Sequence, residues 1–265
     1  MEDLKKIVVL IDSDNTQFSK IADVLNEIST YGRIVVKRAY GNWRKDALKN
    51  WEPEIKRLAI KAVQQFDYVA GKNATDMALV IDTLELLHTN NYDAFVIVSS
   101  DSDFTPLAMK LHESGVYVMG VGVRTTPESF RNACDEFLFL ENISADARKA
   151  PDGSEPEPAQ KDGGSPAPAG PAVQTPGTPD DIEEIHALLR KAYDTYQDDD
   201  GYVHAGAAGN FLKRTKPDFD SRTYGYTKLT QFLAAFPQKY EIKRQRGKNS
   251  ATVVVYKCLR GGKKR

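Results

Sequence analysis

Cysteine, histidine and long hydrophobic runs are all scarce in this chain. Its 265 residues include only 2 cysteines, Cys134 and Cys258, and 4 histidines. Two cysteines this far apart are too few for a disulfide framework or a cysteine-based zinc site. The longest apolar runs, such as 7–11, fall far short of the roughly 20 residues that a membrane helix needs. The sequence therefore argues against a disulfide-stabilised scaffold and against a membrane protein.

The overall composition is that of an ordinary soluble protein. The chain is 41% hydrophobic and 28% charged, which suits one large or two modest domains. The charged residues at 1–6 are not followed by the hydrophobic region of a signal peptide. We therefore expect a cytoplasmic protein.

A segment rich in proline and glycine divides the chain. Positions 151–180 hold eight of the 13 prolines, five of the 18 glycines and no aromatic residue. Such a segment cannot bury enough apolar surface to offset the entropy lost on ordering. We expect a disordered linker over 148–180, between a first domain over 1–147 and a second domain over 181–260, with a basic tail over 261–265.

The two halves differ in charge. Positions 1–150 carry 18 Lys and Arg against 22 Asp and Glu, whereas positions 181–265 carry 17 against 10. The near-zero total therefore hides an acidic half and a basic half. Clustered positive charge favours contact with nucleic acid.

Short β-branched runs alternate with helical patterns in the first domain. The runs predict strands over 7–12, 34–38, 67–69, 94–99, 116–123 and 136–140. Between them we expect helices over 18–29, 53–65, 76–88, 104–113 and 127–134. This alternation predicts an α/β fold with a mainly parallel sheet and helices on both faces. In the predicted helix over 76–88, the apolar residues Met77, Val80, Ile81 and Leu84 have helical spacing and are expected in the core.

Acidic residues follow two of these strands directly. The run 7–11 leads into Asp12 and Asp14, and the run 95–98 leads through two serines into Asp101 and Asp103. A further acid, Asp76, opens a predicted helix. Ligands of open α/β sheets bind at the carboxyl ends of strands, so these acids are candidates for one site.

Converging carboxylates predict a bound cation. Without one they would repel and raise one another's pKa. All-oxygen ligands favour Mg²⁺ or Mn²⁺, and such ions activate water and stabilise phosphoryl displacement. Each acid also has a structural interpretation: Asp12 and Asp14 could form a turn, and Asp76 could serve only the helix dipole. The side chain of Asp14 points to the same face as that of Asp12 only if the strand continues through position 14.

Two other catalytic classes are disfavoured. A nucleophilic triad would need a histidine at these strand ends, and all four histidines lie elsewhere in the sequence. The run 12–16 matches the D-x-D-x-T loop of haloacid-dehalogenase-like phosphatases. Those enzymes also have a second strand that ends in Ser or Thr, then a lysine, and then a third strand that ends in acidic residues. Here Ser99, Asp101 and Asp103 all follow one strand, which leaves no room for that lysine between them.

The first domain resembles a known family. The segments IDSDN, KRAYGNW, KNATDMALVIDTLELL, VSSDSDFTPL, VMGVG and CDEFLFL occur in this order over roughly 7–143. They resemble the NYN domains, a LabA-like group within the PIN-like nuclease superfamily. The resemblance implies a PIN-like Rossmannoid fold and Mg²⁺- or Mn²⁺-dependent cleavage of RNA. It places the metal-binding and catalytic acids at Asp12, Asp76, Asp101 and Asp103, with Asn15, and also Asp14, in support. Many relatives have glycine where this chain has Ser100.

A cationic and aromatic segment follows the second predicted strand. It should border the same sheet edge and could supply cations for phosphate and rings for base stacking. Trp43 could instead anchor the loop to the core. Our candidate RNA-binding residues in this domain are Arg38, Tyr40, Trp43, Arg44 and Lys72.

The second domain has the pattern of a small winged helix-turn-helix. Helices are predicted over 182–196, 207–213 and 228–236, followed by strands over 240–244 and 252–256. The segments FDSRTYGYTKL and FLAAFPQKYEI resemble the OST-HTH or LOTUS domain, which implies binding of RNA or docking to a helicase or other protein. The tyrosines could instead pack on the third helix. Our candidate RNA-binding residues here are Arg222, Tyr226, Lys243, Arg246 and Lys248.

These observations predict a two-domain ribonuclease. Its first domain would cut RNA with Mg²⁺ or Mn²⁺, and its second would hold or select RNA. The alternative is a catalytically silent RNA-binding adaptor. Four retained acids argue against it, because a binding-only site gains little from negative charge facing phosphates.

Overall fold

The structure, a computed structural model, describes residues 4–69, 73–89, 91–146, 179–246 and 252–259. Almost all of the expected linker and the whole basic tail lie outside these residues. Nowhere in the described parts is a helix both long enough and apolar enough to cross a membrane.

The first domain is a six-stranded parallel sheet. Its strands, in spatial order, are β3-β2-β1-β4-β5-β6, and every neighbouring pair is parallel. Because the chain leaves β1 towards β2 and later returns to pair β4 against β1, the strand order reverses between these two strands. The strands are β1 Leu4–Asp12, β2 Gly32–Gly41, β3 Lys61–Gln64, β4 Ala94–Val98, β5 Tyr117–Gly122 and β6 Glu136–Phe139.

Helices cover both faces of this sheet, as the alternating pattern predicted. The helices are α1 Ile21–Ser29, α2 Trp51–Arg57, α3 Ala74–Thr89, α4 Thr105–Glu113, α5 Glu128–Asn132 and α6 Leu140–Asp146. On β1, Ile7, Val9 and Ile11 pack with α1, α2 and α6, whereas Val8 and Leu10 pack with α3, α4 and α5. Both faces of β1 are buried, which is why its sequence is continuously apolar rather than alternating.

One strand prediction was wrong. The pattern over 53–65 predicted one helix and 67–69 a strand, but α2 ends at Arg57 and β3 occupies Lys61–Gln64. Ala59 lies between them with φ of 50°, a left-handed conformation that ends the helix and turns the chain. β3 lies at the edge of the sheet and pairs only with β2 among the described strands, so Lys-Ala-Val-Gln shows no long apolar run.

The second domain has the predicted three helices and hairpin. It contains α7 Pro179–Tyr196, β7 Val203–His204, α8 Ala205–Thr215, a 3₁₀ turn at Ser221–Tyr224, α9 Leu229–Ala234, β8 Tyr240–Arg246 and β9 Thr252–Cys258. The antiparallel sheet has the order β7-β9-β8. Its own core joins Leu189, Leu212, Phe232 and Tyr256. The two-residue strand β7 is too short to have a recognisable sequence pattern.

The second domain packs against the β6 edge of the first. The amide of Phe137 in β6 donates to the carbonyl of Pro217 at 2.9 Å, so the connection after α8 covers part of an edge strand. The carboxylate of Glu136 is 3% exposed and accepts from the Lys213 ammonium at 2.5 Å. It also accepts from the hydroxyls of Tyr31 and Tyr117. A buried carboxylate in one domain is thus neutralised by a cation from the other.

Two more ion pairs cross this interface. Arg131 of α5 pairs with Asp218, whose side chain is 8% exposed. Arg222 pairs with Glu27 of α1 at 3.0 Å. These ion pairs and hydrogen bonds join the two domains.

Lys213→Ala is expected to weaken this interface. It removes the only cation that contacts Glu136 in the described residues and leaves that buried charge with two hydroxyls. Because Lys213 is 35% exposed, we expect a loss of about 1–3 kcal/mol in the free energy of unfolding, less than for a fully buried pair. Small-angle scattering should show a larger radius of gyration. Lys239→Ala, which breaks an exposed pair with Glu183 inside the second domain, is the matched control and should change neither. An unchanged melting temperature and radius for Lys213→Ala would contradict this assignment.

Candidate active site

Three chain segments bring carboxylates to one edge of the sheet. Asp12 is the last residue of β1, and Asp101 lies three residues past the end of β4. These strands are neighbours, with Ile11 opposite Val98. Asp76 is the third residue of α3, which packs on β1 and β2. The acids therefore lie at the reversal of strand order, where open α/β sheets bind ligands.

Asp12 is completely buried and only half satisfied. Its Oδ2 accepts hydrogen bonds from the Asn15 amide and the Ser99 hydroxyl, both at 2.8 Å. Its Oδ1 is buried without a hydrogen-bond partner among the described residues. Burial raises the pKa of Asp12, the hydrogen bonds from Asn15 and Ser99 oppose the rise, and the charge of Asp14 adds to it. A buried carboxylate oxygen without a donor is costly unless a cation reaches it.

The raised pKa of Asp76 indicates that several carboxylates lie close to it. Burial is the largest cause and the charges of Asp12, Asp101, Asp14 and Asp103 follow in that order; together they raise this pKa from its ordinary value of 3.8 to about 6. Because charges influence one another strongly only over short distances, these five aspartates share one electrostatic environment. We refer to Asp12, Asp14, Asp76, Asp101 and Asp103 as the acidic cluster.

Hydrogen bonds fix the loop that carries Asp101 and Asp103. The Asp101 amide donates to the Ser99 hydroxyl at 3.1 Å, and the Asp103 amide donates to Asp101 Oδ1 at 2.8 Å. Asp101 thereby caps the 3₁₀ turn Ser102–Phe104. The Asn73 amide, just before α3, donates to Asp103 Oδ2 at 2.9 Å. The loop after β4 and the start of α3 are thus tied together at the acidic cluster.

Asp14 lies at the exposed rim of the cluster. β1 ends at Asp12 and does not continue through position 14, so strand geometry does not direct the Asp14 side chain as it directs that of Asp12. Lys45 Nζ lies 3.6 Å from Asp14 and 3.3 Å from Asp67. The cluster therefore has a cation at its rim, whereas Asp12 at its centre has none among its hydrogen-bond partners.

The residues present fit a hard divalent ion. Their donors are all carboxylate and amide oxygens, the set that Mg²⁺ and Mn²⁺ prefer. In the part of the chain that the structure describes, no three His, Cys, Asp or Glu side chains are already close enough to hold an ion. The fit therefore rests on the donor set, the unpartnered Asp12 Oδ1 and the raised pKa of Asp76.

Two predicted RNA-binding residues of the first domain point elsewhere. β2 continues to Gly41, three residues beyond its predicted end, so Arg38 and Tyr40 belong to the sheet. Tyr40 is fully buried, and both its hydroxyl and the Arg38 guanidinium donate to Asp82 of α3. Base stacking on Tyr40 is therefore excluded, and Arg38 is neutralised by Asp82.

The other candidates in this segment have different environments. Trp43 anchors its loop, since Nε1 donates to the Val63 carbonyl at 3.0 Å and its ring contacts Trp51 edge-on at 6.2 Å. Arg44 is exposed and remains available for phosphate contact. Lys72 lies outside the described residues.

Several predicted RNA-binding residues of the second domain make contacts within the protein instead. Arg222 is held at the domain interface by Glu27 and Asp220, so it is not available for RNA. Tyr226 packs edge-on against Phe232 at 5.4 Å. Lys243 is about half exposed, lies over the Tyr202 ring at 4.4 Å and pairs with Glu241 at 3.3 Å. Arg246 ends β8, its side chain lies outside the described set, and Lys248 lies outside the described residues altogether.

Three residues of the site carried no signal in the sequence. Ser99 orients Asp12, Asn73 orients Asp103, and Lys45 pairs with Asp14. Ser99 directly follows β4, the strand next to β1, so a hydroxyl at that position could have been noticed once strand order was known. Nothing in the local patterns of Asn73 or Lys45 distinguishes them from surface loop residues.

Comparison with protein families agrees with this architecture. The profile of the NYN domain matches residues 6–141. The chain belongs to the NYN domain family. A second profile, that of the OST-HTH/LOTUS domain, matches residues 180–251. Both resemblances predicted from sequence motifs are thereby confirmed, and a nuclease-like NYN domain precedes an RNA-binding type of domain in one chain.

Two solved structures resemble parts of the NYN protein. One is a protein of unknown function from Vibrio parahaemolyticus, with 16% identity and a TM-score of 0.45 over 54% of this chain and 97% of that one. The other is an uncharacterized protein from Nitrosomonas europaea, with 27% identity and a TM-score of 0.29 over 38% of this chain and 92% of that one. The search of curated proteins finds no match.

Proposed function

We propose that this NYN protein is a ribonuclease that requires Mg²⁺ or Mn²⁺ and hydrolyses RNA phosphodiester bonds. The observation that carries the proposal is the acidic cluster, in which buried Asp12 has an unpartnered oxygen and Asp76 has a pKa raised to about 6. When bound, a hard divalent ion supplies an activated water and neutralises charge at the phosphorus. Asp12, Asp76, Asp101 and Asp103 are the residues that would hold it.

The remaining polar groups of the site keep these carboxylates in place. Asn15 and Ser99 hold one oxygen of Asp12, which leaves the other free for a cation. Asn73 holds one oxygen of Asp103. Fixed ligands lower the cost of reorganisation when substrate arrives, so these donors are positioning residues.

The second domain supports RNA binding in this proposal. The OST-HTH/LOTUS profile and the excess of 17 basic over 10 acidic residues at 181–265 both favour a nucleic-acid surface. Among the described cationic candidates of this domain, Lys243 is the more exposed, with a half-exposed side chain that pairs with Glu241, whereas Arg222 is held at the domain interface. A helicase or another protein is the alternative partner for this domain.

The test is incubation of the purified full chain with labelled single- and double-stranded RNA and DNA, with Mg²⁺, with Mn²⁺ or with EDTA. We expect RNA cleavage with either metal and none in EDTA. Lys239→Ala, in an exposed pair outside the site, should cleave normally. Hydrolysis of small phosphoesters without RNA cleavage would instead favour a phosphatase.

A silent RNA-binding adaptor is the second candidate. It is favoured by one observation, the lack of a ready group of three metal-binding side chains in the described residues. RNA binding without metal-dependent cleavage by the intact chain would support it. Loss of cleavage in Asp101→Asn with unchanged RNA affinity would exclude it.

A further inference from the structure

An apolar groove adjoins the acidic cluster. Of the eight large hydrophobic side chains exposed in the described residues, four line it, namely Tyr68, Val69, Met77 and Ile81. They are 54–86% exposed, with Tyr68 the most exposed at 86%. The groove has a volume of about 510 Å³ and runs between the segment after β3 and the first turns of α3.

This groove corrects the prediction for the α3 stripe. Met77 and Ile81 were expected in the core with Val80 and Leu84, but they are 56% and 54% exposed. The buried face of α3 is formed instead by Thr75, Leu79, Thr83 and Leu86. Because the apolar residues wrap around more than one face of α3, its sequence periodicity did not identify the buried side.

The groove is continuous with the acidic cluster. Asn73 lines the groove and donates to Asp103 Oδ2 at 2.9 Å. Met77 lines it one residue after Asp76 on the same helix. An RNA phosphate at the acidic cluster therefore has the groove directly beside it, within reach of the adjoining nucleotide.

The chemistry of the lining selects the kind of occupant. The described residues that line the groove carry no charge, so they offer no ion pair to a phosphate or to a charged peptide. A nucleobase presents an uncharged apolar face and polar edges. The ring of Tyr68 and the apolar side chains of Met77 and Ile81 suit that face, and the uncharged amide side chains of Gln65 and Asn73 also line the groove.

We propose that this groove binds an unpaired base next to the phosphodiester that is cut, with Tyr68 stacking on it. The proposal rests on the ribonuclease function proposed above and specifies its substrate. A base held in a duplex cannot enter the groove, so the strand must be unpaired at this position. Base stacking, which the sequence pattern assigned to Tyr40 or Trp43, is assigned by this proposal to Tyr68.

The first experiment measures kcat and KM of the full chain on a single-stranded oligoribonucleotide with Mn²⁺. Stacking on one aromatic ring contributes enough that Tyr68→Ala should raise KM about 5- to 30-fold. Tyr68→Phe keeps the ring and should behave like the wild type. Met109→Ala is the control, because Met109 is 54% exposed, as Ile81 is, lies on α4 and does not line the groove, so it should change nothing.

The second experiment removes bases instead of side chains. Oligoribonucleotides with one abasic nucleotide at successive positions are compared on wild type and Tyr68→Ala. We expect one position near the cleaved bond at which the abasic change raises the wild-type KM by a similar factor. At that position the abasic change should have no further effect on Tyr68→Ala, because both changes remove one contact.

Binding measurements separate this proposal from the proposed function. Affinity for labelled oligoribonucleotides in EDTA needs no cleavage, so it tests the groove even if no metal supports activity. Equal affinity and KM for wild type, Tyr68→Ala and Ile81→Ser at every abasic position would overturn the groove assignment. So would sedimentation showing a wild-type dimer that Ile81→Ser dissociates without loss of RNA affinity, since a second copy would then occupy the groove.

Discussion

Replacing Asp12 by asparagine is expected to lower the rate of metal-dependent RNA cleavage about a thousandfold. The change removes a negative charge from the centre of the acidic cluster. Asparagine can keep the hydrogen bonds from Asn15 and Ser99 by placing its carbonyl where Asp12 Oδ2 lies. The loss would therefore come from the missing charge and not from a displaced loop. Single-turnover cleavage of labelled RNA with saturating Mn²⁺ measures it.

The same substitution should not destabilise the metal-free protein. Asp12 is fully buried with Oδ1 unpartnered, so a neutral amide at this position removes a desolvated charge. We expect the melting temperature in EDTA to stay equal or to rise. Asp46→Asn is the control, because Asp46 is 88% exposed, lies outside the cluster, and should alter neither rate nor stability. Cleavage by Asp12→Asn within about tenfold of wild type would show that Asp12 is not a required ligand.

The contribution of Asp76 to the free energy of unfolding of the metal-free protein is expected to fall as pH rises from about 4 to about 6. Burial and the neighbouring aspartates raise the pKa of Asp76 from its ordinary 3.8 to about 6. Between these values the folded state holds a proton that the unfolded state has released, so stability decreases with rising pH. Since Asp76 is only half-buried, we expect a fall of about 1–3 kcal/mol.

Asp76→Asn should remove this dependence. Urea unfolding in EDTA across the same pH range would give the difference in unfolding free energy between variant and wild type. That difference is expected to grow in favour of the variant up to about pH 6 and then to level off. Saturating Mg²⁺ should stabilise the wild type more at neutral than at acidic pH, because binding releases protons, and should stabilise the variant less. Parallel pH profiles for the two proteins would contradict the assigned pKa.

The positions of Asp12 and Asp101 were predictable because they depend on a robust pattern. A strand buried on both faces of a parallel sheet reads as a continuous apolar run, so its end is marked by the first polar residue. Both strands end in this way, and parallel strands direct their carboxyl ends to one edge. Asp76 required a further step, since a residue in the first turn of a helix is equally well explained by the helix dipole.

The RNA-contact predictions for Arg38 and Tyr40 failed for a tertiary reason. The length of β2 decided whether Tyr40 lay in a loop or in the sheet, and β2 extends further because it pairs with β1 as far as Tyr40 and with β3 over 38–41. β3 itself is a short edge strand without a strong pattern. The predicted end of β2 therefore depended on pairing with strands far away in the sequence, which the residues around β2 do not reveal.

The amino-acid sequence alone determined the fold class, the two-domain order, both family resemblances and the chemical type of the site, because these depend on periodicity and on residue identity. Only the tertiary structure decided that Asp82 neutralises Arg38, that Arg222 belongs to the domain interface, and that apolar residues of α3 face solvent beside the acidic cluster. Each of these features depends on which side chains the packing of the fold brings together. When two such residues are far apart in the chain, neither sequence segment alone shows that they will meet.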